Sequence, residues 1–198
     1  MVKLIFRLTI FIALICLLFF ACSSGIEFSP DPGILRITLE SDQADTTITI
    51  VTDTLTVSDN DVFRITIFQG KVYQDSTFTV LYPTIESNSQ EERAYNLITR
   101  ENHQYQKFTI FESYVPPFKY NKIQFGLDSD FLKLRNFDKI QVVTPNNFFL
   151  ILETDFEVHE NRMTEVNLRV SPFENVVRYK DTYIFAPIME VVGIKSYE

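Results

Sequence analysis

Residues 152–170 read LETDFEVHENRMTEVNLRV, a stretch in which apolar and polar side chains alternate twice. The first alternation ends at the polar pair Glu160-Asn161, and the second runs from Val166 to Val170. A period of two residues is typical of strands with one buried face, and asparagine tolerates the left-handed backbone of a turn. The stretch therefore predicts a β-hairpin.

The same alternation recurs on both sides of this stretch. Further strands are predicted at residues 34–39, 46–57, 63–67, 72–82, 95–98, 107–115, 122–128, 139–144 and 183–194. Gln69-Gly70 predicts a short turn between two of them, because glycine accepts a positive φ. About ten strands with little helix predict an all-β fold, either an antiparallel sandwich or a barrel.

One short helix is expected near residues 172–179. Ser171 fits the position of an N-cap, Pro172 the first helical position, and Glu174 can complete a capping box. The helix must end before the final predicted strand, in which Pro187 indicates an edge or a bulge.

The N-terminus has the layout of an export signal. Lys3 and Arg7 precede an apolar run that ends in the small residue Ala21, directly before Cys22. The run is shorter than the about 20 residues that a membrane-spanning helix needs. It resembles the lipobox of bacterial lipoproteins, which implies cleavage before Cys22 and a diacylglycerol on its thiol. An uncleaved anchor helix and an ordinary signal peptide without lipid are the alternatives.

This interpretation divides the chain into three parts. Residues 1–21 are a lipoprotein signal peptide, residues 22–33 a flexible tether rich in proline and glycine, and residues 34–194 a β-sandwich domain. We expect the protein in the cell envelope, held to a membrane by its N-terminal lipid. Under the sorting rules of enterobacterial lipoproteins, Ser23 rather than Asp after the cysteine favours the outer membrane over the inner one.

The composition limits which partners are expected and whether the mature domain can contain a disulfide. The chain has a net charge of −8, which becomes −10 when the leader with Lys3 and Arg7 is removed. An acidic protein repels phosphate backbones, so nucleic acid is not an expected partner. Both cysteines, Cys16 and Cys22, lie in or directly after the leader, so the mature domain is expected to contain no disulfide.

No catalytic or cofactor-binding pattern is found in the sequence. It contains no G-x-S-x-G nucleophile motif and no glycine-rich phosphate loop. His103 and His159 are expected to be exposed. Glu153, Asp155 and Glu157 share one strand face, predicted to be a solvated surface rather than a glycosidase pair. The prediction is a non-enzymatic protein without a cofactor.

Five aspartates lie near the ends of the first predicted strands, where oxygen ligands on loops would suit calcium. Their spacing does not match an EF-hand loop, so solvated turns without metal are the prediction. These aspartates are Asp42, Asp45, Asp53, Asp59 and Asp61.

An aromatic and proline-rich segment is the best candidate for a binding surface. It contains Tyr114, Pro116, Pro117, Phe118 and Tyr120. Stiff prolines with flanking rings can present anchors to a partner. The alternative is a rigid connection between strands, with its rings packed over the core.

The second half of the chain resembles a known family. The resemblance rests on Tyr120 with Ile123-Gln124-Phe125, and on the strand and turn motifs of residues 139–145, 155–158, 164–168, 173–177 and 183–187. These resemble the bacterial and archaeal family called domain of unknown function 4382, and residues 33–57 resemble its first two strands. The family implies an exported, often lipid-anchored sandwich of prealbumin-like type, without established catalytic residues. Residues 63–92 would be an insertion.

Together these features predict a prealbumin- or immunoglobulin-like sandwich that acts as a non-catalytic binding module. Its expected partner is an unknown envelope protein or glycan. A structural or adhesive surface module is the main alternative. A hydrolase using Glu153, Asp155 and Glu157, and a carrier of an apolar ligand, suggested by the 19 phenylalanines, are further alternatives.

Overall fold

A computed structural model describes residues 29–135, 137–145 and 148–197. The predicted signal peptide, Cys22 and residues 22–28 of the predicted tether lie outside this part of the chain. The described residues form strands and turns and no helix. The all-β prediction is therefore confirmed.

The first eight strands are β1 (Gly33–Ser41), β2 (Thr47–Ile50), β3 (Asp53–Thr56), β4 (Val62–Gln74), β5 (Thr77–Val80), β6 (Arg93–Asn96), β7 (Arg100–Glu101) and β8 (Gln104–Tyr105). The others are β9 (Phe108–Val115), β10 (Lys119–Lys133), β11 (Ile140–Val143), β12 (Phe149–Glu157), β13 (Met163–Val170), β14 (Val176–Tyr179), β15 (Thr182–Phe185) and β16 (Met189–Tyr197).

Two principal sheets enclose the core. The small sheet has the order β16-β13-β1-β9, and the large sheet has the order β14-β15-β11-β10-β4-β5, with β12 beside β10 and β6 beside β4. Leu35, Ile37 and Leu39 from the small sheet and Phe63 and Phe125 from the large sheet are fully buried in one hydrophobic cluster. Short ribbons, β2-β3 and β7-β8, complete the described strands.

The predicted hairpin at residues 152–170 is wrong, although both of its strands exist. β12 pairs with β10 in the large sheet, whereas β13 pairs with β1 and β16 in the small sheet. Residues 158–162 therefore carry the chain from one sheet to the other. Alternation of apolar and polar residues identifies the strands, but two strands facing each other across a core show the same pattern as a hairpin.

β13 lies parallel to β1, which corrects the prediction of a purely antiparallel sandwich; β11 and β15 form a second parallel pair. Arg36 lies beside Glu165, and Glu40 lies beside Arg169. Reversing one strand about the Thr38–Asn167 pair would bring Arg36 beside Arg169 and Glu40 beside Glu165. Because like charges on directly opposed residues destabilise a sheet, the charge order of these two strands favours the parallel arrangement.

The predicted helix near 172–179 is wrong. Residues 172–175 form turns, and residues 176–179 are β14, which pairs with β15 as a hairpin. The carboxylate of Asp45 accepts hydrogen bonds from the backbone N–H of Phe173 and of Glu174, at 2.6 and 3.1 Å. A distant side chain thus satisfies the donors that a capped helix start would leave free, and the Val176-Val177 pair favours a strand.

Gln69-Gly70 forms a bulge inside β4 instead of the predicted turn. Gln69 has a φ of 52°, and the register of β4 against β10 shifts at this point. A Cβ on Gly70 would lie 2.6 Å from the ring of Phe111, so only glycine allows this contact. The strand continues through the bulge, so β4 runs along β10 from Val62 to Tyr73 as an integral strand of the large sheet.

Candidate functional site

The candidate surface lies at one end of the sandwich, where the chain crosses twice between the sheets. Residues 116–118 connect β9 in the small sheet with β10 in the large sheet, and residues 158–162 connect β12 with β13. The N–H of Val158 donates to the carbonyl of Phe118 at 3.0 Å, and that of Ile34 donates to the carbonyl of Arg162 at 2.9 Å. These bonds join the two connections and the start of β1 into one rim.

The rim exposes two of the rings in the predicted binding surface. Tyr114 is 56% exposed and Phe118 is 45% exposed. Pro116 is exposed and Pro117 is half-buried. Because proline fixes φ, the two prolines limit the motion of the segment that carries Phe118.

Tyr120 does not belong to the exposed part of this surface. It is 2% exposed, stacks on Phe156 with ring centroids 5.5 Å apart, and donates its hydroxyl to the carbonyl of Pro116 at 2.8 Å. Burial raises the pKa of this hydroxyl. Tyr120 therefore holds the proline segment against the core. Both interpretations of the segment apply in part, since Tyr114 and Phe118 face outward while Tyr120 packs inward.

A hollow of about 590 Å³ opens beside this segment. The stacked pair Tyr120 and Phe156 contributes to its wall, and its polar lining includes Asp75, Lys119 and Glu157. The Lys119 ammonium lies 4.0 Å from the Glu157 carboxylate. The volume is within the range of small-ligand sites, and the polar groups offer both hydrogen-bond donors and acceptors.

The carboxylates and histidines considered for catalysis are on the surface. Glu153, Asp155 and Glu157 are all exposed on β12. His103 and His159 are exposed as predicted, and Nδ1 of His159 lies 3.8 Å from Glu157. Of these residues, only Asp155 and Glu157 line the hollow.

Two of the five aspartates have a structural role that the sequence did not reveal. Asp61 is 2% exposed, and its carboxylate accepts hydrogen bonds from the backbone N–H groups of Ser58 and Arg135, each at 2.8 Å. Asp45 holds the turn after β13 in the same way. Neither residue lies in the solvated turn that was predicted. In residues 29–135, 137–145 and 148–197, no group of three or more His, Cys, Asp or Glu side chains could hold a metal ion.

The outer face of the small sheet is a second feature that sequence reasoning missed. At the rim, an apolar row crosses all four strands in register, from Tyr114 through Ile34 and Met163 to Tyr197. Tyr197 is 43% exposed, so both ends of the row are accessible. The exposed outward positions became recognisable only once the order of the strands was known.

Next to this row lies a ladder of ion pairs. Arg36 contacts Glu112 at 3.0 Å and Glu165 at 3.8 Å, and Lys107 contacts Glu165 at 2.8 Å. The hydrogen bond and charge of Glu112 raise the pKa of the Arg36 guanidinium, so it stays charged. Ion pairs therefore connect β9, β1 and β13 across this face.

In the described part of the chain, no helix is long and apolar enough to cross a membrane. Comparison with known proteins found no matching protein family, no matching curated protein and no matching solved structure.

Proposed function

We propose that this chain is a lipid-anchored protein of the cell envelope whose β-domain is a non-catalytic binding module. The proposal includes the prealbumin- or immunoglobulin-like type of the sandwich and the relationship to domain of unknown function 4382. It also places the lipid on Cys22, with the outer membrane preferred over the inner one. The partner would be an envelope protein or a glycan.

The observation that carries the binding function is the rim with its exposed rings. Tyr114 and Phe118 stand outward on a segment stiffened by Pro116 and Pro117, directly beside the hollow lined by Lys119. Aromatic anchors next to a concave polar site are typical of recognition surfaces, because little side-chain freedom is lost on binding. A structural or adhesive module is favoured by a different observation, the patterned outer face of the small sheet.

The lipid anchor is tested by the substitution Cys22→Ala. We expect it to abolish incorporation of a radiolabelled fatty acid, because the other cysteine, Cys16, lies in the predicted signal peptide and follows the bulky residue Ile15. The protein should also leave the membrane pellet, since stable membrane binding depends on its acyl chains. Cys16→Ala is the matched control and should keep the label. Persistent labelling of Cys22→Ala would show that the anchor is assigned wrongly.

The binding surface is tested by a photo-crosslinking phenylalanine analogue at Phe118. We expect the full chain with this analogue to form a specific adduct with an envelope protein, or to co-sediment with and crosslink to isolated envelope glycan. Phe149 is the matched control, because it is also an exposed phenylalanine on the sandwich, at 37% against 45%. Equal adducts at both positions, or none at Phe118, would contradict binding at the rim.

A further inference from the structure

The outer face of the small sheet is neutral in a strongly acidic protein. Its charged side chains are four cations and four anions, whereas the whole chain has a net charge of −8. The cations are Arg36, Lys107, Arg169 and Lys195, and the anions are Glu40, Glu112, Glu165 and Glu190. Two copies of an acidic protein repel each other in general, so a neutral face is where they can approach.

The charges of this face alternate in sign across the strands. The first charged row reads negative, positive, negative, positive, and it consists of Glu112, Arg36, Glu165 and Lys195. The pairs Arg36–Glu112, Arg36–Glu165 and Glu165–Lys195 are each in register on neighbouring strands, so the row runs straight from β9 to β16.

The second charged row has the opposite signs. Glu40, Arg169 and Glu190 are in register on β1, β13 and β16. Lys107 precedes β9, but its ammonium lies 2.8 Å from Glu165 and so belongs with the first row. Arg169 contacts Glu40 at 2.8 Å and Glu190 at 3.9 Å. From β1 to β16 this row is negative, positive, negative, opposite in sign to the first row on each of the three strands.

When a row of four alternating charges is turned end to end, every charge faces a charge of the opposite sign. We propose that the outer face of the small sheet binds the same face of a second copy of this chain, around a two-fold axis parallel to the strands. The axis places β9 opposite β16 of the other copy. Glu112 then meets Lys195 of the second copy, Arg36 meets Glu165, and Glu40 meets Arg169. Such a self-complementary patch is what a two-fold interface requires.

The apolar row selects this axis over the other in-plane axis. A two-fold axis perpendicular to the strands would also match the charges, but it would place the apolar row against the opposite end of the face, near Asp42. With the axis parallel to the strands, Tyr114 packs against Tyr197 of the second copy and Ile34 packs against Met163. The exposed rings of Tyr114 and Tyr197 are thereby covered, which burial of apolar area favours. Phe118 lies outside this face, in the connection between β9 and β10, so in the paired state the partner proposed above would bind at Phe118 and the hollow.

The area of the face determines how strong the self-association should be. Four strands about 4.8 Å apart and nine residues of about 3.3 Å each give a face of about 19 by 30 Å, or roughly 1,100 Å² over two copies. Crystal contacts mostly bury less than about 800 Å², and stable specific interfaces begin near about 1,200 Å². The self-association is therefore weak in dilute solution, and the membrane anchoring proposed above would strengthen it by confining the copies.

The test reverses the charge of single residues on this face and then combines the two variants. Glu112 and Lys195 lie at opposite edges of the face, about 14 Å apart in one chain, so they meet only between copies. Full chains with two different affinity tags are co-expressed, and a photo-crosslinking analogue at Tyr197 joins neighbouring copies in the intact membrane. The proteins are then purified in detergent, and retention of the second tag is measured. Lys195→Glu paired with itself, and Glu112→Lys paired with itself, should each reduce retention at least about tenfold, because like charges then face each other.

Co-expression of a Lys195→Glu chain with a Glu112→Lys chain should restore retention to the wild-type level, since both facing pairs become opposite again. Lys133→Glu, an exposed residue of β10 with the same change of charge, should leave retention unchanged. The inference is overturned when wild-type copies do not retain each other, when either reversal has no effect, or when the mixed pair is not restored. Each reversal also places like charges side by side within its own sheet, so a lower melting temperature is expected, and a cooperative thermal transition shows that each variant is folded. The mixed pair keeps these intrachain repulsions, so its restored retention separates the contact between copies from an effect on the fold.

Discussion

Phe63→Ala should lower the free energy of unfolding by about 3–5 kcal/mol, the largest loss that we expect from a single core substitution. Phe63 lies on β4 and is fully buried. Its ring is 4.8 Å from that of Phe185 on β15 and 6.5 Å from that of Phe173 in the turn after β13. Removing it leaves a cavity where three segments meet, and the paired strands around it cannot collapse to fill the space.

Urea unfolding of the wild-type protein and of Phe63→Ala measures this loss as a lower midpoint with a similar slope. Phe78→Ala is the matched control, because Phe78 is 52% exposed and its removal should change stability by no more than about 0.5 kcal/mol. Equal losses in the two variants would mean that Phe63 is not in the core of the sandwich.

Asp45→Ala should lower the free energy of unfolding by about 1–3 kcal/mol, since it leaves the buried N–H group of Phe173 and the part-buried N–H group of Glu174 without their acceptor. Asp45→Asn keeps an oxygen in the same place and should stay within about 1 kcal/mol of the wild type. The two variants differ in the hydrogen-bond acceptor, so their comparison isolates its contribution. If Asp45 bound calcium, added calcium would stabilise the wild type and neither variant.

The stability of the wild type relative to Asp45→Asn should depend on pH. Burial raises the pKa of Asp45, and this outweighs the two backbone hydrogen bonds that lower it. The folded state thus holds a proton more tightly than the unfolded chain does. The resulting stability is fully present below the ordinary aspartate pKa and is lost as the pH rises through the raised pKa.

Unfolding of both proteins over the acidic range measures this trend. A wild type that gains stability over Asp45→Asn as the pH rises would show that the hydrogen bonds, rather than burial, dominate at this carboxylate.

The sequence predicts strands well here and their partners poorly. Alternation at Leu152–Val158 and Val166–Val170 depends only on which face of a strand is buried, so it located both strands. Whether they pair depends on the direction that the chain takes at residues 158–162, and no local sequence pattern indicates that direction. The register between β1 and β13 is a similar case. Its charge complementarity is visible only after the strands are placed side by side.

The candidate site shows the same limit. Exposed Tyr114 and Phe118 could be predicted, because prolines between strands usually lie at the surface. Tyr120 could not be distinguished from them, since its burial depends on Phe156 from a distant strand. Asp45 and Asp61 appeared as loop carboxylates, and only the turns that pack against them show that they are acceptors for backbone N–H groups.

The rim and the patterned face both depend on the parallel pairing of β1 with β13, and disulfide trapping tests that pairing directly. Residues 29–197 contain no cysteine, so introduced pairs can be oxidised and identified by peptide mass spectrometry. Cysteines at Arg36 with Glu165, and at Glu40 with Arg169, should form intrachain disulfides, because these residues are in register.

Cysteines at Arg36 with Arg169, and at Glu40 with Glu165, should remain reduced, since about 13 Å of strand separates each pair. Efficient trapping of these two pairs, with none of the first two, would show that β13 runs antiparallel to β1. It would contradict the account of the small sheet and of both surfaces built on it.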